Sequence, residues 1–399
     1  MRRGGVLNYR LAICLVLAIT VLSLALNAQQ TPTQTTSQSQ LDQHENGTES
    51  ENALIASSKA HPTDPVPLAR LGLLEARQGH LTQAIVFYRR AMVLKPNLPG
   101  LRLNLGLALF KDGQYKEAIQ IFTSLLKSQP PSSPERQRLD VLVGMSHYGL
   151  GEYAAAVPYL KQAADHDAQN LTLLLTLAHS CLLSKQYPCV LDVYHRMIAQ
   201  NAESAEADML VGEALDEMKD TNGATREFRA AVQANPKEPN AHFGLGYLLW
   251  TQLQFQEASQ EFQAELQNTP DYSKAMLYLA DSYIKLNRND DARPLLEKVL
   301  AIEPTNSMGL LDLGIVYAEA DRKEDALREF KAVAALTPDD VNVHMWLGRL
   351  YRSTGNPGEA KIEFDKAKSL NRTTHDALIT VMSNASEKDK MSSSQTPAN

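Results

Sequence analysis

Three thiols, one of them Cys14 in an apolar run near the amino terminus, ten imidazoles and one glycine-spaced tripeptide mark the places where this chain of 399 residues could do covalent, metal or phosphate chemistry. Cys181 and Cys189 lie eight residues apart. In an oxidising compartment two such thiols join as a disulfide; as small hydrophobes they can equally stay buried and free. Both readings stay open on the spacing alone. No two of the ten His stand at the i, i+4 spacing that puts two metal ligands on one helical face. Gly244-Leu245-Gly246 resembles the start of a phosphate-binding loop, but it sits within a helical pattern with no strand before it, so close helix packing is the better reading. HExxH, Walker, GxSxG and zinc-spaced Cys motifs are absent. We expect no catalytic residue, no cofactor and no metal site, and therefore a protein that is not an enzyme. The 46 acidic against 39 basic residues, net -7, disfavour nucleic acid, which calls for a basic face.

The amino terminus reads as an export signal. Arg2, Arg3 and Arg10 flank an apolar run over 11–26, and Ala28 offers a small residue for cleavage. The run is shorter than the roughly 20 residues that span a bilayer, so removal of residues 1–28 is expected, with an inner-membrane anchor at 11–26 as the alternative. The product would be periplasmic or secreted. Losing three Arg and no acid moves the charge from -7 to -10. Residues 29–50 and 387–399 are polar and too poor in apolar side chains to order themselves, and read as a disordered linker and tail.

Between them one pattern recurs. LGLLEARQGHLTQAIVFYRRAMVLKP, residues 71–96, returns 34 residues later as LGLALFKDGQYKEAIQIFTSLLKSQP. A small residue recurs in register at Gly72, Gly106, Gly144, Ala178, Gly212, Gly246, Ala280, Gly314 and Gly348. Gly and Ala make up about 15% of ordinary sequence, so nine in register arise by chance about once in 10^7 trials. A second small series starts at Ala84 and is broken at Val190; an aromatic or Leu follows four residues on, from Tyr88 to Phe364; and Pro closes six repeats, at Pro96, Pro130, Pro236, Pro270, Pro304 and Pro338. Apolar spacing near 3.6 makes each repeat two amphipathic helices, with turn glycines such as Gly79, Gly113, Gly151 and Gly355 between them. The small residues let the paired helices approach, the aromatic fills the gap against the next repeat, and Pro stops the second helix.

This pattern resembles the tetratricopeptide-repeat family over residues 65–374, although the family's usual Trp in the first helix is missing, with His242 and His344 among its replacements. The resemblance implies an all-α fold, a superhelical α-solenoid of nine helix-turn-helix repeats at 65–98, 99–132, 137–170, 171–204, 205–238, 239–272, 273–306, 307–340 and 341–374. Residues 51–64 and 375–386 read as amino- and carboxy-terminal caps. Four extra residues at Pro130–Glu135 lengthen one link, and repeat four, which lacks turn Gly, second Ala and closing Pro, is where irregularity is expected. Cys181 and Cys189 flank its turn symmetrically.

In the family the first helices line a concave groove, with repeat positions 2, 5, 6, 9, 12 and 13 facing inward. Carried onto this chain, the groove holds Tyr148, Leu175, Phe243, Tyr247, Trp250, Tyr278 and Trp346, mixed with Glu213, Asp216, Glu217, Asp281 and Asp312. An aromatic groove with acidic patches suits a protein or peptide segment carrying basic residues. The expected role is a non-catalytic protein-interaction scaffold in envelope complex assembly. A carbohydrate-binding module, or the non-catalytic subunit of an enzyme complex, is the alternative. No membrane contact beyond an uncleaved signal is implied, and the oligomeric state stays open.

Overall fold

The computed structural model describes residues 51–200 and 204–372; the expected signal, linker, carboxy-terminal cap and tail lie outside them. The described residues are helical throughout their regular structure. Helix α1 (Glu51–Ala60) comes first and buries Leu54. Hairpins follow as α2 (Pro65–Arg77) with α3 (Leu81–Leu94), α4 (Leu101–Lys111) with α5 (Tyr115–Leu126), α6 (Pro134–Gly149) with α7 (Tyr153–His166), and α8 (Leu171–Leu183) with α9 (Tyr187–Ile198). Helix α10 (Ala205–Glu217) and then α11 (Thr221–Ala234) follow along the chain, and hairpins resume as α12 (Ala241–Thr251) with α13 (Phe255–Asn268), and α14 (Ser273–Lys285) with α15 (Asn289–Ile302). The last are α16 (Ser307–Glu319) with α17 (Lys323–Leu336), and α18 (Val341–Ser353) with a final helix running from 357 to the end of the described residues at 372. The chain divides into two compact bodies, Met1–Asp220 and Thr221–Asn399.

Local chemistry sets the ends of these helices. Side chains of Asp64, Ser133, Asn170, Ser204, Asn306 and Asp340 accept the free backbone N–H groups that open α2, α6, α8, α10, α16 and α18. Most second helices stop two residues before the closing proline, as α13 does at Asn268 before Pro270, because the residue preceding proline is pushed into extended backbone; Thr269 has φ -133° and ψ 81°. In every repeat the residue at position 15 is in the left-handed conformation. Gly79, Gly113, Gly151 and Gly355 take it without strain, but Lys185, Lys219, Leu253, Asn287 and Asp321 adopt it as well.

The two sequence series meet in the core. A methyl group added at Gly72, Gly106, Gly246, Gly314 or Gly348 would fall 2.5 to 2.8 Å from the ring of Tyr88, Phe122, Phe262, Phe330 or Phe364, sixteen residues on in the same repeat. The aromatic therefore closes its own hairpin first. It also reaches the next repeat as expected: Phe262 stacks on Tyr278 at 5.9 Å and Phe330 on Trp346 at 6.0 Å. Gly244 gives its missing side chain's space to Phe228, so the glycine-spaced tripeptide is a packing feature.

The lengthened link before α6 is held by Arg136, whose guanidinium donates to the carbonyls of Leu126 and Gln129. Repeat four keeps both helices, and the structure joins Cys181 to Cys189 across its turn, with Cα atoms 5.9 Å apart. Val190, which breaks the second small series, is fully buried there, and an apolar gap bounded by Val190, Tyr194, Met197 and Leu210 sits beside it. His242 and His344 are core residues, the repeat-equivalent halves of two matching pairs, each with Nδ1 2.6 Å from Glu261 or Glu363.

Candidate protein-binding groove

The expected groove residues fall into the two bodies, and each set stands separately. In the amino-terminal body, Tyr148 on α6 is only 7% exposed, and its hydroxyl lies 2.7 Å from His179 Nδ1. That pairing draws Tyr148 into the packing between first helices and away from an accessible wall. Leu175, Glu213, Asp216 and Glu217 are half-buried, with Glu217 accepting from the Tyr187 hydroxyl at 3.5 Å.

The carboxy-terminal body gathers the rest more tightly. Tyr247 and Trp250 on α12 lie one turn apart with their rings stacked at 6.2 Å, and Tyr278 on α14 meets both edge-on at 5.4 and 5.1 Å. Phe243 supports them from inside, 6.0 Å from Tyr278 and itself buried, so it is a foundation and not a contact surface. Burial, with Tyr247 and Asp281 nearby, pushes the Tyr278 hydroxyl up to about 12, leaving it a neutral donor.

The acids complete this face. Trp250 donates its indole N–H to Asp281 Oδ2 at 2.6 Å, a short charge-assisted bond that fixes the ring. Lys285, one turn further along α14, holds its ammonium 3.5 Å from Asp281 Oδ1 while its side chain stays nearly half exposed. Asp312, on the next first helix, α16, is 5% exposed, and its Oδ2 has no hydrogen-bond partner. Loss of water and then the Asp281 charge hold the Asp312 carboxyl well above the ordinary range, and Lys285 offsets this in part. Trp346, on α18, stands apart from this cluster, packed on Phe330 beneath the Arg349 guanidinium at 5.0 Å.

Two further residues belong with the face. Lys285 occupies inward position 13, so the rule that selected the acids also pointed to it. Leu253, three residues beyond Trp250, is 73% exposed and left-handed at φ 63°. Its signal was a Leu where other repeats place Gly or a polar residue. Among the described residues no group of three or more His, Cys, Asp and Glu could hold a metal ion, and no helix is long and apolar enough to cross a membrane.

Comparison with known proteins places this architecture. Family models described as tetratricopeptide repeat match residues 147–214 and 249–308, and 212–273 and 311–372; further repeat models match 72–113 and 101–132. A curated protein, "BBSome complex member BBS4" of Bos taurus, is 23% identical over 218 residues, covering 47% of this chain and 42% of its own length. The chain thus spans under half of that relative. Among solved structures, YrrB, described as "a TPR protein with an unusual peptide-binding site", matches at 20% identity and TM-score 0.40, covering 47% of this chain and 97% of that one. MamA from Desulfovibrio magneticus RS-1 matches at 20% and 0.40, covering 42% and 96%. The Cut9-Hcn1 hetero-tetramer structure matches at 15% and 0.44, covering 79% and 58%.

Proposed function

This chain belongs to the tetratricopeptide-repeat family, and from that premise we propose that it is a non-catalytic scaffold that binds a segment of a partner protein on the α12–α14–α16 face. The observation that carries the reading is the contiguous Tyr247–Trp250–Tyr278 cluster, anchored by the Trp250–Asp281 bond and half-open to solvent. Large, rigid aromatic side chains supply contact area at little entropic cost, which is why such clusters dominate binding energy in interfaces. Exposed Leu253, held in a conformation that a leucine resists, presents a further apolar side chain in the turn that follows Trp250.

The proposal extends to location. Residues 1–28 have the layout of an export signal, and a Cys181–Cys189 bridge suits an oxidising compartment such as the bacterial envelope. Assembly of envelope complexes is the setting we assign.

Affinity capture of the mature protein's partners from its own envelope extract, beside Tyr247→Ala/Trp250→Ala with unchanged helical circular dichroism, tests the reading. The double variant should lose its principal partner. Equal recovery of the same proteins by both would refute the groove.

A further inference from the structure

Resting on that reading, the carboxylates behind the aromatic cluster identify what the partner must bring. Asp281 and Asp312 stand on neighbouring first helices, at inward positions 9 and 6, near enough that the Asp281 charge adds to burial in raising the Asp312 carboxyl. Asp281 is fully engaged: one oxygen accepts the Trp250 indole, and the other faces the Lys285 ammonium. Asp312 is not. Its Oδ2 is closed off from water and meets no donor, although leaving a buried acceptor orphaned costs stability. Proteins keep such a group where something else satisfies it, and beside a second carboxylate a donor of positive charge does so best, because it also offsets the repulsion between the two acids. The cation already beside them is Lys285, whose nearly half-exposed side chain turns on several freely rotating bonds.

We propose that Asp312 and Asp281 form the floor of a slot for one cationic side chain, Arg or Lys, of the bound partner segment. The incoming stem lies against Trp250 and Tyr278, and its head takes the position from which Lys285 swings out into solvent. Charge complementarity supports this occupant: burial and the Asp281 charge disfavour the ionised form of Asp312 in the empty face, and a second cation beside it favours that form and takes up its unpartnered oxygen. A neutral or acidic side chain would leave Asp312 unpaired in a dry environment, and the slot therefore selects for charge as well as adding affinity.

The test is a selection of a displayed random 12-residue peptide library on the full-length mature protein, followed by affinity measurement on synthetic binders. Binders should share one invariant Arg or Lys. Replacing it by citrulline or acetyl-lysine should weaken binding at least tenfold to the wild type and hardly at all to Asp312→Asn. Lys285→Met, at an exposed and structurally undemanding position, should tighten binding of the cationic peptide by removing its competitor. Binders that require Trp250 but tolerate the neutral replacement, or that bind Asp312→Asn as tightly as the wild type, would overturn the slot and leave the groove standing. Binders indifferent to Tyr247→Ala/Trp250→Ala, or a selection that yields none, would overturn slot and groove together.

Discussion

Gly246→Ala tests the interlock that sets the spacing beneath the aromatic face. The new methyl would lie 2.8 and 2.9 Å from two ring carbons of Phe262 and 3.2 Å from Glu261 Cβ, where carbon atoms normally rest about 3.5–4.0 Å apart. Phe262 has nowhere to retreat: it is fully buried, with Phe243 at 5.8 Å and Tyr278 at 5.9 Å. Overpacking of this kind costs about 1–3 kcal/mol, and the gain in helix propensity over Gly returns up to about 1 kcal/mol. We expect a net loss of about 1 kcal/mol, read as a lower urea midpoint by circular dichroism. Repeat seven shows the remedy, because it carries Ala280 where repeat six has Gly246 and the smaller Leu296 where repeat six has Phe262. The double variant Gly246→Ala/Phe262→Leu should therefore be more stable than the sum of its single changes by at least about 1 kcal/mol. Gly358→Ala, where a methyl meets nothing within 4 Å, should be neutral or slightly stabilising. Strict additivity, or a Gly246→Ala protein as stable as the wild type, would refute the interlock.

Two other outcomes follow from the same structure. Unfolding the unreduced mature protein should release no reactive thiol from Cys181 or Cys189, and reduction should lower stability by about 2 kcal/mol, the value for a short closed loop; two reactive thiols would refute the bridge. Between the ordinary carboxyl value of 3.8 and its raised native value, Asp312 holds a proton in the folded state that the unfolded chain releases, so stability falls as pH rises through that window. Asp312→Asn removes this descent, and its advantage over the wild type in urea midpoint should be larger at pH 8 than at pH 5; an advantage independent of pH would refute the buried protonated carboxyl.

How much of this was readable from the sequence depended on whether backbone or side-chain partners decided the outcome. The 34-residue period located the hairpins, since a recurring small residue and a recurring ring leave the backbone one way to pack. The turn glycines were legible for four repeats. Lys185, Lys219, Leu253, Asn287 and Asp321 take the same left-handed φ because the hairpin on either side demands it, and composition carries no mark of that demand. At the site, inward positions gathered Tyr247, Trp250, Tyr278, Asp281 and Asp312 on one face. The same rule misplaced Tyr148, because its burial depends on His179 one repeat away, and Phe243, which four rings surround. Periodicity specifies which way a residue points, whereas its neighbours determine whether it reaches the surface.

The nine left-handed turns carry one further consequence. Position 15 is exposed in every repeat, and its conformation is imposed from outside, so its identity is uncoupled from the packing on both sides. That makes it a site where surface chemistry can be rewritten without re-engineering a core, and Lys, Leu, Asn and Asp already stand there. A non-glycine residue in that conformation costs about 1–2 kcal/mol, with Asn and Asp at the low end. A lineage can therefore diversify a few hairpins in this way before the accumulated strain erodes the array. Five of the nine repeats carry a non-glycine residue there, and Leu253, without the short polar side chain of Asn or Asp, carries the larger strain.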